Sequence, residues 1–517
     1  MDLRFQSIKM KFLCKISNPN SLLFHIIGII CILWFLLRVL PKPDRYRYPC
    51  QQMSISVASS YIIFWSIIFS ALFNGLSLKV RLVKKNATII LPIFSIIFIL
   101  IFSISNGVFA YDEINTGSWI PIQNEPIGIP FGANPGCVVW VWNPNATREN
   151  LIGFWWLKIN NNQNVIDEMF SNGIQELTDV KNDEDAWDIL FKYFNQVNGH
   201  GDIGYQPGEK IAIKVNLNNC WTPYFGIDNQ IDANPYVVRS LLKHLVYTVG
   251  VAQSDITIYD AARPIQNWFY NRVCYKNFHI LPLAPEFKNI NYVDSLGGAA
   301  GRQKVEASTE KIYFSDDLGI IKTLPKCVAD SKYIINMPQL KKHPRENGVT
   351  LSGKNMFGTW IESVEDIHPY LYSAHIMDNT APQTDLLAHK QIGGKTLLYV
   401  GDGLYGTLED QKIMGKWQMH PFNNDWTNSL FFSQDPVAID SVMYDFLHVE
   451  TSPSEGSQNY LHQAAEPPLD VYDPENDGIY NSYSLGVHEH WNTSINIFSS
   501  KRYSGTSNNG INFRTIQ

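Results

Sequence analysis

Three apolar runs fill most of the first 110 residues and restrict the solvent in which that part of the chain can settle. They are SLLFHIIGIICILWFLLRVL (21–40), SVASSYIIFWSIIFSALFNGL (56–76) and ATIILPIFSIIFILIFSISNGVFA (87–110). A helix of about 20 apolar residues crosses the hydrocarbon core of a bilayer, and each run reaches that length. A helix in a globular core rarely stays apolar on every face for so long. The reading is therefore an N-terminal three-helix transmembrane region within residues 1–110. Charge divides the chain at the same place. Residues 1–110 carry twelve Lys/Arg against Asp2 and Asp44. The whole chain has 41 basic and 48 acidic residues, so 29 basic and 46 acidic remain in the following 407, a net of −17. A basic, apolar head thus precedes an acidic, aromatic-rich body. The lipid bilayer is the expected partner of the head, and nucleic acid is excluded as a partner of a body with no basic stripe.

Orientation follows from the bias of Lys and Arg toward the cytoplasmic side. The N-terminal tail has Arg4, Lys9, Lys11 and Lys15; the loop after the second run has Lys79, Arg81, Lys84 and Lys85. The intervening loop, with Arg38, Lys42, Arg45 and Arg47, votes the other way. With tail and second loop inside, the body is exported, giving a multi-pass membrane protein whose C-terminal domain is extracytoplasmic. The third run, preceded by RLVKK and ending VFA before Tyr111, also has the outline of a secretory signal. Its length favours a retained helix, and both readings export the body. In an oxidising compartment Cys137, Cys220, Cys274 and Cys327 could form two disulfides in any of three pairings. No C-x-x-C occurs, so an iron–sulfur cluster is not expected.

The body reads as α/β, with a mainly parallel sheet and flanking helices. IAIKVNL (211–217) and ITIYDAA (256–262) are strands, and PYVVRSLLKHLVYTVG (235–250) is an amphipathic helix stopped by Gly250. The unit predicts a parallel pair joined by a crossover helix. CVADSKYIINMP (327–338) and TLLYVGDGL (396–404) each read as a strand running into a loop, and DPVAIDSVMYDFL (435–447) as a helix capped by Asp435. Residues 265–325 show no clear period. The division is 111–204 as an N-terminal part, 205–455 as the core and 456–517 as an Asn-, Ser- and Tyr-rich extension.

GVTLSGKN (348–355) is one letter from the phosphate-binding pattern G-x-x-x-x-G-K-[ST], with Asn355 at the Mg²⁺-ligand position. The pattern needs a strand directly before it and a helix directly after. Here QLKKHPRENG intervenes and Gly358 follows, so nucleotide hydrolysis is not expected. The segment still gathers Lys341, Lys342, His343, Arg345 and Lys354 behind a strand's C-terminal end, where ligands bind in open α/β sheets. Thr350, Ser352 and Asn355 add neutral hydrogen-bonding groups. A site for a carboxylate or phosphate competes here with a solvated basic loop. KVNLN puts Lys214, Asn216 and Asn218 on one face of a strand end; a buried Lys is a candidate base, and a lysine snorkelling at the sheet edge is the plain alternative. Asp260 and Asp402 close two strands and are candidates to orient substrate or to hold a divalent metal, or simply to cap loops. His488 and His490 in HEH share one face of an extended segment, a spacing that suits a transition metal or an aromatic-packed strand. DPENDG (473–478) resembles the start of a Ca²⁺ loop that lacks its closing Glu. No G-x-S-x-G appears.

IAIKVNLN…NPYVVRSLLKHLV…ITIYDAAR, INMPQLKKHPRENGVTLSGKNMFGTWIE and SQDPVAIDSVMYDFL together resemble the family described only as "domain of unknown function 362", over about 205–450. The resemblance extends more weakly through PGCVVWVWNPNAT and LGVHEHWN. Many members carry ferredoxin-type cysteine clusters, which this chain lacks. ADSKYIINMPQLKKH…SGKNMFG is also similar, at motif level, to the nickel-pincer lactate racemases. The expectation is an enzyme acting on a small anionic ligand: Lys214, His343 and Asp260 as acid/base groups, and Asn216, Lys342, Thr350, Lys354, Asn355 and Asp402 as ligand-binding groups. Proton abstraction beside a carboxylate, as in a racemase or isomerase, is one version. A non-catalytic envelope receptor or assembly module is the other class. The cofactor is open, with a divalent metal at His488 and His490 as the candidate.

Overall fold

The alternating β-branched runs of the body become strands because their two sides meet two different layers. Ile211–Val215 pairs in parallel with Ile256–Asp260, with Ile211 opposite Ile256 and Lys214 opposite Tyr259. Between them runs the helix Pro235–Lys243, opened by Asn234, whose side chain accepts from the Tyr236 N–H, with Pro235 in the first turn. The helix continues into a π-type turn at His244–Thr248 and is stopped by Gly250 at φ +81°. The expected strand–helix–strand unit is present.

This computed structural model describes residues 122–276, 285–316, 318–343, 348–505 and 509–517. The chain divides into two units, Met1–Ile114 and Asn115–Gln517, and the second holds everything described below. The three apolar runs, the VFA segment and Arg345 lie outside the described residues. Among the described residues no helix is long and apolar enough to cross a membrane.

Nine strands form one sheet: β1 (Cys137–Trp142), β2 (Ile211–Val215), β3 (Ile256–Asp260), β4 (Asn291–Asp294), β5 (Arg302–Lys304), β6 (Tyr333–Met337), β7 (Thr396–Gly403), β8 (Ser429–Ser433) and β9 (Asn512–Ile516). Their order is β9-β1-β8-β7-β6-β2-β3-β4-β5. All pairings are parallel except the two made by β8, so β8 alone runs against the rest. From β2 the chain builds outward through β3, β4 and β5, then returns to β6 on the other side of β2. The gap between the C-terminal ends of β2 and β6 is therefore a topological switch point.

Successive side chains of a strand face opposite layers, and here both layers are buried. Ile211, Ile213, Val215, Ile256, Ile258, Tyr333, Ile335 and Val400 join one core with Phe170, Trp187, Leu190, Val237 and Leu241 from helices. Tyr399 and Phe431 meet Val442, Met443 and Phe446 of the helix Pro436–Thr451 on the other side. Ala212, Tyr259 and Ile334 share that second side with Met356 and Trp360. Lys214 is two residues from Ala212 and so projects into the layer built by the 352–360 segment. Asp435 caps the helix Pro436–Thr451, accepting from the Val437 and Ala438 N–H groups at 3.0 and 2.8 Å.

Several expectations change. The aperiodic 265–325 stretch supplies a helix, Asn267–Cys274, the two outer strands β4 and β5, and a hairpin of Ala307–Tyr313 with Ile321–Pro325. Cys137, Cys220, Cys274 and Cys327 are free thiols, so neither disulfide that four cysteines permit is formed. The DPENDG segment spends its carboxylates internally. Asp473 accepts from the Asp477 and Gly478 N–H groups, and Asp477 pairs with Lys390 at 2.8 Å.

Candidate functional site

Lys214 emerges at the end of β2 with almost no exposure, and an ammonium there needs compensation. Its Nζ lies 2.9 Å from Asp260 Oδ2 at the end of neighbouring β3, and donates to the Val215 carbonyl at 2.7 Å. The other carboxylate oxygen, Oδ1, accepts from the Ala262 and Arg263 N–H groups at 3.0 and 3.1 Å. Burial pulls the Lys214 pKa below the ordinary lysine value against the opposing pull of Asp260. Gly358 closes the pair from above. A Cβ there would fall 2.7 Å from Asp260 Oδ1 and 2.9 Å from Lys214 Nζ. Gly358→Ala is therefore expected to pry the pair apart and cost about 2 kcal/mol in chemical denaturation; unchanged stability would show that the pair is not confined by this backbone.

The GVTLSGKN segment folds as the second strand of a hairpin, Lys341–His343 with Gly348–Thr350, followed by one helical turn, Ser352–Asn355. The N–H groups that a phosphate loop would offer to a nucleotide are already engaged. Asp440, from the helix Pro436–Thr451, accepts from the Ser352 N–H at 2.8 Å and the Gly353 N–H at 3.1 Å, and from the Tyr460 hydroxyl at 2.8 Å. The protein's own carboxylate occupies the position an anion would take at these two N–H groups. Burial raises the Asp440 pKa to about 6 while those donors oppose the rise. Beyond this anchor the turn delivers Asn355 to the switch point. Its Nδ2 donates to Asn336 Oδ1 at 2.7 Å, and Asn336 Nδ2 donates to the Ser352 carbonyl at 3.0 Å. Lys354 points its ammonium over the Phe357 ring, 4.7 Å from the centroid.

These elements enclose a cavity of about 120 Å³, room for a small polar molecule. Of the residues singled out from the sequence, Lys214, His343, Asp260, Asn216, Thr350, Lys354 and Asn355 line it together. Arg263 and His368 add two further basic side chains, and Glu365 adds a carboxylate. The Arg263 guanidinium carbon lies 3.6 Å from the Trp221 ring centroid, and its Nε donates to the Asn218 carbonyl at 3.1 Å.

The remaining candidates lie elsewhere. Lys342 alternates to the opposite side of its strand from Lys341 and His343, and its Nζ donates to the Thr451 carbonyl at 3.0 Å. Asp402 accepts from the Asn234 and Leu404 N–H groups at 2.8 and 3.3 Å, tying β7 to the start of the crossover helix; burial raises its pKa to about 6. His488 bonds Ser441 through Nδ1 at 2.8 Å, and His490 stacks on Trp491 at 4.4 Å. Among the described residues no group of three His, Cys, Asp or Glu could hold a metal ion, so the metal expected at His488 and His490 has no ligand set there. Burial depresses both imidazoles, His490 to about 4.

The sequence pattern gives no site role to Asn336 or Gly358, counts Lys341 only among the basic residues of its segment, and leaves Asp440 facing either solvent or the cleft. Lys341 is wholly buried behind Asn216, donating to Asn216 Oδ1 at 3.3 Å, to the Ile231 carbonyl at 3.0 Å and to Gln339 Oε1 at 3.2 Å. Burial lowers its pKa, and Asp232 opposes that fall. The alternation of KKH was the available signal: with His343 inward, Lys341 rather than Lys342 had to share its face.

The search of curated proteins finds no match to this chain. Residues 211–445, which contain β2, β3, β6 and every residue of the Lys214 cavity, match the family model "Domain of unknown function (DUF362)", and over that span the chain is similar to this family.

Proposed function

We propose that the body is an enzyme that binds a small carboxylate or phosphate in the Lys214 cavity and passes a proton between that ligand and the Lys214–Asp260 pair. The observation that carries this reading is a buried lysine, its Nζ 2.9 Å from Asp260 Oδ2, opening on a cavity also lined by Arg263, His343, Lys354 and His368. An excess of basic groups in a confined, partly dry space favours an anion. A lysine whose charged form is penalised by burial gives up or accepts a proton below the pH at which an exposed lysine would. Lys214 in its neutral form takes the proton from the ligand, and Asp260 steadies the ammonium that results. Proton abstraction beside a carboxylate, as in a racemase or isomerase, fits these parts. Turnover should then rise as pH rises through the lowered Lys214 pKa, and Lys214→Met should abolish it.

Titration calorimetry of the whole chain with small carboxylates and inorganic phosphate tests the binding half. Lys354→Ala is expected to weaken binding at least about tenfold, the scale of one charge-assisted hydrogen bond. A well-folded Lys354→Ala protein that binds as the parent does would remove the cavity from consideration. Binding without isotope exchange into any bound acid would instead assign a receptor role. The three apolar runs and the charge bias of their loops support a membrane-anchored, extracytoplasmic placement of the body. Protease added outside intact cells should digest it, and protection would reverse the topology.

A further inference from the structure

Thr350 and Asn355 line the cavity at 3% and 2% exposure, yet Thr350 Oγ1 and Asn355 Oδ1 have no hydrogen-bond partner among the described residues. Buried polar atoms without partners are rare in folded proteins and mark strain, function or an occupant. Which end of the Asn355 amide is left over is fixed by a relay. The Ser352 carbonyl can only accept, so the Asn336 atom 3.0 Å from it is Nδ2. Asn336 therefore presents Oδ1 to Asn355, and the Asn355 atom 2.7 Å away must be Nδ2. The same Nδ2 also reaches the Lys214 carbonyl at 3.4 Å. The unpartnered atom of Asn355 is thus an acceptor and cannot exchange roles by flipping the amide. Thr350 differs, because its hydroxyl can donate to an anionic oxygen.

Resting on the anion-site reading above, we infer that the occupant carries a hydrogen-bond donor, a hydroxyl or an N–H, beside its anionic group: the anion meets the basic residues and Thr350, and the donor meets Asn355 Oδ1. Ligands of equal size and charge that lack the donor would bring a lone pair against that buried oxygen and leave it unsatisfied. Selectivity would come from this mismatch more than from the attraction of the basic groups. Asn336 acts as a positioning residue, since it decides which end of the Asn355 amide faces the ligand.

Two matched pairs test this on the whole chain by calorimetry. Glycolate and acetate differ by one hydroxyl, and inorganic phosphate and sulfate differ by a proton at neutral pH. In at least one pair the donor-bearing member is expected to bind about tenfold more tightly or better, and the pair that shows it identifies the anion as carboxylate or phosphate. Thr350→Val should weaken the bound members alike and leave the ratio intact, whereas Asn355→Leu should bring the ratio near one. Equal affinity within each pair for the parent protein would overturn the inference while leaving the anion site standing. No binding by any of the four would sink the anion-site reading and this inference with it. The comparison on the parent protein needs no variant, so misfolding of Asn355→Leu cannot shield the idea.

Discussion

An Asp260→Asn protein should unfold with about 3 kcal/mol less stability than the parent in chemical denaturation, at the lower end of what removal of one member of a buried ion pair costs. The loss comes less from missing attraction than from what is left behind: a lysine with 1% side-chain exposure facing a neutral amide. The double variant Lys214→Met, Asp260→Leu removes both charges and should recover most of that loss, because replacing a buried pair by apolar groups is often neutral. The double variant should nevertheless show no proton exchange with any bound acid. A single variant within about 0.5 kcal/mol of the parent would mean that Lys214 is hydrated in a way its surroundings do not suggest.

Asp440→Ala should be comparably damaging, by about 3 kcal/mol or more. It strands the Ser352 and Gly353 N–H groups and the Tyr460 hydroxyl, all buried, and an unsatisfied buried donor costs about 1–3 kcal/mol. Asp440→Asn, which keeps one oxygen, should fall between the two. Added acetate or phosphate should stabilise Asp440→Ala more than the parent, because an external anion can take the vacated position at the two N–H groups. Thermal denaturation with and without each anion reads this directly. Equal stabilisation of both proteins would mean that the carboxylate is not standing in for a ligand.

The fold was legible where periodicity and punctuation agreed. IAIKVNL, ITIYDAA, KYIINMP and TLLYVGDGL lie side by side as β2, β3, β6 and β7, and the Asp435 cap sits where the Asp-Pro pair predicted. What escaped were strands whose identity depends on remote partners. β4 and β5 are four and three residues long and read as strands only once β3 is beside them. Lys214, Asp260, Lys354 and Asn355 meet at one cavity because strand ends and the turns that follow them converge at this edge of such a sheet. Lys342 falls outside the cavity because side chains of a strand alternate, which puts Lys341 rather than Lys342 on the face of His343. Asp402 falls outside the cavity for a similar reason: like Asp440 it is a buried acceptor for backbone N–H groups, and a sequence does not say which loop's donors a carboxylate will meet.

At the far edge of the sheet, β9 aligns with β1 across 375 positions of chain, Asn512 opposite Cys137. During synthesis, at roughly 5–20 residues per second, β1 must wait tens of seconds or longer before that neighbour exists. In the interval its CVVWVW sequence, which ends up buried almost throughout, offers an open ladder to any other extended segment. A nascent body would therefore depend on whatever shields that strand in transit, and a ribosome stalled before residue 512 would release a product with a sticky, apolar margin.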